Sequence, residues 1–324
     1  MPAHQVVLPL FEGYQPLDVT GPHEVLCAVA GHVEPGYDVT LVAREPGPVA
    51  AESGLQITAT EALPESGPIG TLLVPGGLGT RAALRDEAFV GWLRRAAARA
   101  ERVASVCTGA FLLAAAGQLD GLPAATHWRW ARELGRRYPA VDVQPDAIWV
   151  RSGRVWTSAG VTSGIDLALA LLEADHGVEA AQAVAREFVV FLRRPGGQSQ
   201  FAAPVWTEPA ARPSVRAAQD LIHAEPAADL RVPALAEHCG MSERHFSREF
   251  TRLLGCPPGD YVEKVRVDTA RRLLESGPVL VGVVAARAGF GSAETMRRAF
   301  LRRLGVPPDH YRRRFGTAPT EAMA

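Results

Sequence analysis

The feature that most constrains this chain is a repeat in its last third. Residues 235–261 and 284–311 align: Ala236 with Ala285, Gly240 with Gly289 and, after one inserted residue, Ser242 with Ser292, Arg248 with Arg298 and Phe250 with Phe300. Leu254-Gly255, Pro257-Pro258 and Tyr261 recur as Leu304-Gly305, Pro307-Pro308 and Tyr311. Matches this dense at a period of roughly fifty residues mean two copies of one supersecondary unit. Each copy starts with a short apolar helix that ends at Gly240 or Gly289, a residue free to take positive φ. Ser242 and Ser292 come next as helix N-caps. Phe246 and Phe250, or Met296 and Phe300, recur at i, i+4 and face a core. The opposite face carries Arg244, Ser247 and Arg248 in copy one, and Ala293, Glu294, Thr295, Arg297 and Arg298 in copy two. A Gly-x-Pro-Pro stop closes each helix, since proline cannot continue it. These are the parts of a paired helix-turn-helix.

A chain of 324 residues has room for two domains. Residues 214–324 hold 17 Lys+Arg against 13 Asp+Glu, and 16 of those cations are Arg. A solvated surface alone accounts for so small an excess, so charge adds only weakly to a nucleic-acid reading. The four cysteines, Cys27, Cys107, Cys239 and Cys256, form no C-x-x-C pair and have no zinc-ligand spacing. Reduced thiols, no metal and no cofactor are expected. The first residues lack a basic stretch before an apolar run, and no run nears the roughly 20 residues that span a bilayer. The expectation is a cytoplasmic protein with no membrane partner.

Residues 1–195 alternate strands and helices. Apolar runs at 6–10, 37–43, 71–74 and 103–106 read as buried strands, separated by helices at 21–30, 87–100 and 110–116. A strand pair at 147–150 and 154–157 turns around Ser152-Gly153, and helices at 164–176 and 178–193 close the domain. The fold class is α/β, a mostly parallel sheet between helices, followed by an all-α domain. Residues 196–213, with Pro204, Pro209 and Pro213, read as a linker, and 214–324 as the helical domain.

One position in the first domain carries chemistry. Residues 103–111 are a strand followed at once by a helix, with Cys107 at the elbow. An elbow there lifts a side chain above the carboxyl edge of a sheet, where α/β proteins bind ligands. It also sets the thiol at a helix N-terminus, whose dipole favours thiolate. The amides of Gly76 and Gly77, after the neighbouring strand, are candidates to hold an anion or carbonyl oxygen. Asp18 comes after the first strand and is placed to share a proton with Cys107. Three readings stay open for Cys107: pocket residue, nucleophile or inert elbow. His127, beside Trp128, is either a pocket residue or a structural hydrogen-bonding group.

The repeat and its Pro-Pro-x-x-Tyr tail resemble the AraC/XylS family of transcription regulators over about 214–316. That resemblance implies a partner of double-stranded DNA, read by two recognition helices in successive major grooves, with RNA polymerase as a further contact. It assigns Arg244, Ser247 and Arg248 to the first helix and Ala293, Glu294, Thr295, Arg297 and Arg298 to the second. Segments 17–24, 74–77, 105–109 and Thr126-His127-Trp128 resemble the class I glutamine amidotransferase-like superfamily in its PfpI branch. This implies a flavodoxin-like fold, a homodimer through the N-terminal domain, and a small-molecule effector, nitrogen-containing in relatives of this architecture. The ligand-binding candidates are Asp18, Gly76, Gly77, Cys107, Thr108 and His127. The chain departs from PfpI-type proteases, which have His after the nucleophile where this chain has Thr108, and no later His-x-Glu closes a glutaminase triad. The leading expectation is a ligand-responsive regulator rather than an enzyme. The rival is a cysteine-dependent isonitrile hydratase or amidase using Cys107 and Asp18.

Overall fold

The computed structural model describes residues 3–201, 210–277 and 279–316. The chain divides into two compact units, Met1–Gln198 and Ser199–Ala324.

The strands of the first unit are β1 (His4–Pro9), β2 (Tyr37–Ala43), β3 (Gly47–Ala50), β4 (Gln56–Ala59), β5 (Glu61–Ala62), β6 (Ile69–Val74), β7 (Ala100–Ser105), β8 (Pro123–Ala124), β9 (Asp142–Val143), β10 (Trp149–Ser152) and β11 (Val155–Ser158). The main sheet runs β10-β11-β7-β6-β1-β2-β5, parallel throughout except for the β10–β11 edge pair. Its central strands are apolar on both faces, as a sheet covered on both sides requires. Val7, Leu72, Val74 and Val103 enter one core, with Phe89 and Trp92 of α3 (Glu87–Arg99, after the short α2, Thr80–Ala83) and Phe111 of α4 (Gly109–Ala115). Val6, Leu8, Leu73 and Ala104 enter the other. There they meet α1 (Pro16–Ala28), α6 (Ser163–His176) and α7 (Val178–Glu187); α5 (Ala131–Arg137) precedes β9.

Some boundaries differ from the sequence expectation. Helix α1 begins at Pro16, not at 21: proline is at the first helical position, and the Gln15 side chain accepts from the Leu17 amide at 3.3 Å. Asp18 therefore sits in the first turn of a helix. Helix α7 ends at Glu187 rather than 193, and Val189 beyond it takes φ 55°. The β3–β4 hairpin and α5 go beyond the sequence expectation. The expected linker is not free at its start, since Gln198 is buried in the first unit and Gln200 in the second. Pro204 and Pro209 lie outside the described residues.

The second unit is helical: α8 (Pro213–Ala224), α9 (Val232–His238), α10 (Glu243–Leu254), α11 (Pro258–Glu275), α12 (Val281–Arg287), α13 (Ala293–Leu304) and α14 (Pro308–Phe315). The 18-residue α11 serves two cores. Tyr261, Val262 and Val265 pack with Phe246 and Phe250, while Val267, Ala270 and Leu274 pack with Met296 and Phe300. At 1.5 Å per residue it is about 27 Å long, a rigid spacer between the two copies. Ser242 and Ser292 cap α10 and α13, accepting from His245 and Thr295 amides at 3.4 and 3.1 Å. The Gly-x-Pro-Pro element works differently from the expectation. Gly255 (φ 75°) and Gly305 (φ 70°) end the recognition helices in left-handed conformation, and Pro258 and Pro308 start the next ones. The repeated tyrosines are buried clasps. Tyr261 packs edge-on to Phe250 and its hydroxyl accepts from Gln219 Nε2 at 3.1 Å; Tyr311 packs edge-on to Phe300 and accepts from Arg271 Nε at 2.9 Å.

Candidate functional site

Four adjacent strands, β11, β7, β6 and β1, end at one edge of the sheet. The turns beyond their ends build a cavity of about 270 Å³ in the first unit. Beyond β1 come Gln15 and Asp18; beyond β6, Gly76 and Gly77; beyond β7, Cys107 and Thr108; beyond β11, Val161. Cys107, Thr108, Gly77 and His127 line the cavity, whereas the candidates Asp18 and Gly76 do not; Trp130 lines it too, as do Gln15, Glu52, Arg81, Phe111, Glu133 and Val161, which the sequence did not single out.

The elbow is a constrained piece of backbone. Cys107 has φ 56° and Val161 φ 53°, values L side chains rarely adopt. Neighbouring bonds fix Cys107: its amide donates to Ala159 O at 2.8 Å, and its carbonyl accepts from Thr126 Oγ1 at 2.8 Å. Gly76 is required by close approach, since a Cβ there would lie 2.5 Å from Thr108 N and 2.9 Å from Gly109 N.

The expected anion-holding role of the glycine amides is not what the structure contains. Gly76 N–H donates to Asp18 Oδ2 and Gly77 N–H to Thr108 Oγ1, each at 2.9 Å. Leu78 N–H donates to Glu52 Oε2 at 2.6 Å, and Glu52 Oε1 accepts from Gln15 Nε2 at 2.7 Å. Thr108 and Thr80 hydroxyls share a further bond of 2.9 Å. These donors are committed to side chains of the protein itself, and Thr108 acts as a clasp between the turn after β6 and the elbow.

Electrostatics also corrects the thiolate expectation. Asp18 is 0% exposed, and burial pushes its pKa up to about 8, opposed by the Gly76 amide. Its other oxygen, Oδ1, has no hydrogen-bond partner among the described residues. Burial first, and the Asp18 charge second, push the Cys107 thiol far above its ordinary value. A helix N-terminus contributes about 0.3–1 kcal/mol toward an anion, against several kcal/mol for burying a charge. Burial thus opposes ionisation both of the Cys107 thiol, which lines the cavity, and of the Asp18 carboxyl, which is enclosed and does not line it. His127 Nδ1 accepts from the Arg129 amide at 3.2 Å, which leaves the proton on Nε2 of the neutral ring. Burial, then the Arg129 charge, lowers its pKa.

In the second unit, Arg244, Arg248, Ala293, Glu294, Thr295, Arg297 and Arg298 are exposed, and Ser247 is half-buried. Arg244 has no ion-pair partner among the described residues. Arg248 Nη2 is 3.1 Å from His245 Nδ1. Arg297 donates twice to Glu294, at 2.8 and 3.0 Å, and Arg298 is 3.9 Å from the same carboxylate. Arg248 Nε is likewise 4.0 Å from Glu249 Oε1, so of these four arginines Arg244 alone has no carboxylate within ion-pair reach among the described residues.

The profile of the DJ-1/PfpI family matches residues 4–174. The chain belongs to the DJ-1/PfpI family. A helix-turn-helix domain profile matches residues 235–314 of this DJ-1/PfpI protein. An HTH-type transcriptional regulator of Mycobacterium tuberculosis is 34% identical over 269 residues, 76% of this chain and 96% of the relative. The isonitrile hydratase of Pseudomonas putida is 38% identical over 182 residues, 56% of this chain and 76% of the enzyme. Among solved structures, a THiJ/PfpI family protein from Pseudomonas syringae matches with TM-score 0.53 at 27% identity, covering 69% of this chain and 88% of that one. With its AraC-type helix-turn-helix pair, this DJ-1/PfpI protein is a DNA-binding transcription regulator rather than an enzyme. No helix among the described residues is long and apolar enough to cross a membrane.

Proposed function

We propose that this regulator binds a small metabolite in the cavity around Cys107 and His127, and that binding changes its affinity for double-stranded DNA. The observation that carries the reading is the cavity floor. A thiol whose ionisation burial opposes and an imidazole N–H line the cavity, while the Asp18 carboxyl is enclosed and does not reach it; these are hydrogen-bonding groups suited to reversible binding. Asp18, Gly76 and Thr108 hold the floor in shape; Cys107, His127 and Gly77 face the ligand. The DNA face is Arg244, Ser247 and Arg248 on α10 with Ala293, Glu294, Thr295, Arg297 and Arg298 on α13. The protein acts in the cytoplasm as a homodimer through its first unit, and RNA polymerase is a further partner. The rival hydratase chemistry would need thiolate at Cys107, which burial opposes.

A thermal-shift screen of small nitrogenous metabolites on the full chain tests the reading. A ligand raises the midpoint in proportion to ln(1 + [L]/Kd), and that rise should vanish in Trp130→Ala and in His127→Ala. A ligand that stabilises the chain yet leaves its DNA affinity unchanged contradicts the proposal, because a regulator's ligand must favour one of two states.

A further inference from the structure

The segment that leaves the first unit is bonded to both turns that wall the cavity. His127 faces the cavity, and its two neighbours hold Gln198. Gln198 Nε2 donates to Thr126 O and Ala147 O, each at 2.9 Å, and Oε1 accepts from the Trp128 amide at 2.7 Å. Its own amide donates to Asp146 O at 2.9 Å, and the residue is 3% exposed. Both amide hydrogens and the oxygen are thereby used. Gly197 lies flat against Asp146, where a Cβ would fall 2.4 Å from the carbonyl oxygen. Upstream, Arg194 donates to Asp166 at 3.2 and 2.7 Å and to Thr162 Oγ1 at 3.2 Å. Thr162 is next to Val161, which walls the cavity from the other side. The two turns touch each other: a Cβ on Gly160 would fall 2.0 Å from His127 Cδ2. Thr126 adds a bond to the elbow itself, donating to Cys107 O at 2.8 Å.

We propose that residues 194–198 are a strap that carries the state of the cavity to the DNA-binding unit, with Gln198 as its positioning residue. The proposal rests on the ligand-sensing reading above. A ligand that shifts the His127 turn displaces Thr126 O and the Trp128 amide together. That loosens two of the bonds that hold Gln198, along with the Thr126 bond to Cys107. Ser199, the next residue, opens the second unit, so the hold on Gln198 sets how the DNA-binding unit is tethered. The element with two arrangements is the strap, held or released, and cavity occupancy biases it.

The test uses the full chain and a duplex enriched by the wild-type protein from a random pool. Gln198→Glu keeps the volume but turns an oxygen toward two carbonyls. His127→Ala removes the cap of the Trp128 turn and leaves the bonding groups of Gln198 in place. Hydrogen exchange of residues 194–201 and DNA affinity by fluorescence anisotropy are read for wild type, both variants and the double variant. Each single variant should speed exchange of 194–201 and change Kd by about fivefold or more. The double variant should change Kd by no more than the larger single effect, because both break one relay. If His127→Ala leaves exchange of 194–201 at the wild-type rate, or if the two effects on Kd multiply, the strap is wrong. Should Gln198→Glu fail to fold, the His127→Ala exchange comparison decides alone. Should the wild-type protein enrich no duplex, the DNA-binding reading fails, and exchange still decides the strap.

Discussion

Asp18 offers a quantitative test of the cavity floor. Its carboxyl is fully buried, with a pKa raised from 3.8 to about 8. Between those values the folded state holds a proton that the unfolded state has lost, so stability is greatest below pH 4 and falls as pH rises toward 8. At 1.36 kcal/mol per unit, the penalty accumulated by pH 7 is about 4 kcal/mol. Asn has the shape of the protonated acid and keeps an acceptor for the Gly76 amide. Asp18→Asn should therefore match wild type at pH 4 and exceed it by about 4 kcal/mol at pH 7. For a unit of this size that is a rise in midpoint of roughly 8–16 °C. Five of the six tryptophans, Trp92, Trp128, Trp130, Trp149 and Trp156, lie in the first unit, so tryptophan fluorescence during urea or thermal unfolding of the full chain reports on it. Equal stabilities of the two proteins at pH 7, or a parallel pH dependence, would refute the claim that Asp18 is held neutral.

The same geometry makes three further predictions. Gly76→Ala puts a methyl against backbone atoms of Thr108 and Gly109 that cannot yield, and should cost about 1–3 kcal/mol in tryptophan-detected unfolding. Cys107 should alkylate with iodoacetamide far more slowly than the exposed Cys27 at pH 8, and equally fast once urea unfolds the chain, as mass spectrometry of the labelled peptides would report. Arg244→Ala should weaken DNA binding about 5- to 150-fold if it reads a base, with a sharp loss at one operator position; a uniform loss across sequences, with the salt slope reduced by about one, would assign it to phosphate instead.

The helix-turn-helix copies are legible in sequence because their signals are local. Serine caps, left-handed glycines and apolar residues at i, i+4 act within one or two turns of chain, and all recur where the structure has them. The cavity edge is legible in outline, since Cys107 and Gly77 each come after an apolar strand. Pairing across distance is not. The partner of the Gly76 amide is 58 residues away, that of the Leu78 amide 26, and Gln198 meets Thr126 from 72. Those pairings turn expected anion donors into internal clasps. The thiolate expectation fails for a related reason: the helix start at Cys107 is visible in sequence, but the degree of burial that outweighs it is set by the whole fold. The Pro-Pro pairs read as stops because proline breaks helices, yet with left-handed glycines already ending α10 and α13 they serve as starts.

Everything proposed for the cavity depends on α10 and α13 reading DNA as a pair. The most direct measurement is equilibrium binding of the full chain to duplexes selected from a random pool, repeated with Arg244→Ala/Arg248→Ala, with Arg297→Ala/Arg298→Ala and with all four changes. Wild type should bind two adjacent half-sites about one helical turn apart in a sequence-dependent, salt-sensitive way, each pair of changes should blind one half-site, and all four should abolish specificity. Binding that ignores sequence, or that all four changes leave intact, would contradict that paired reading.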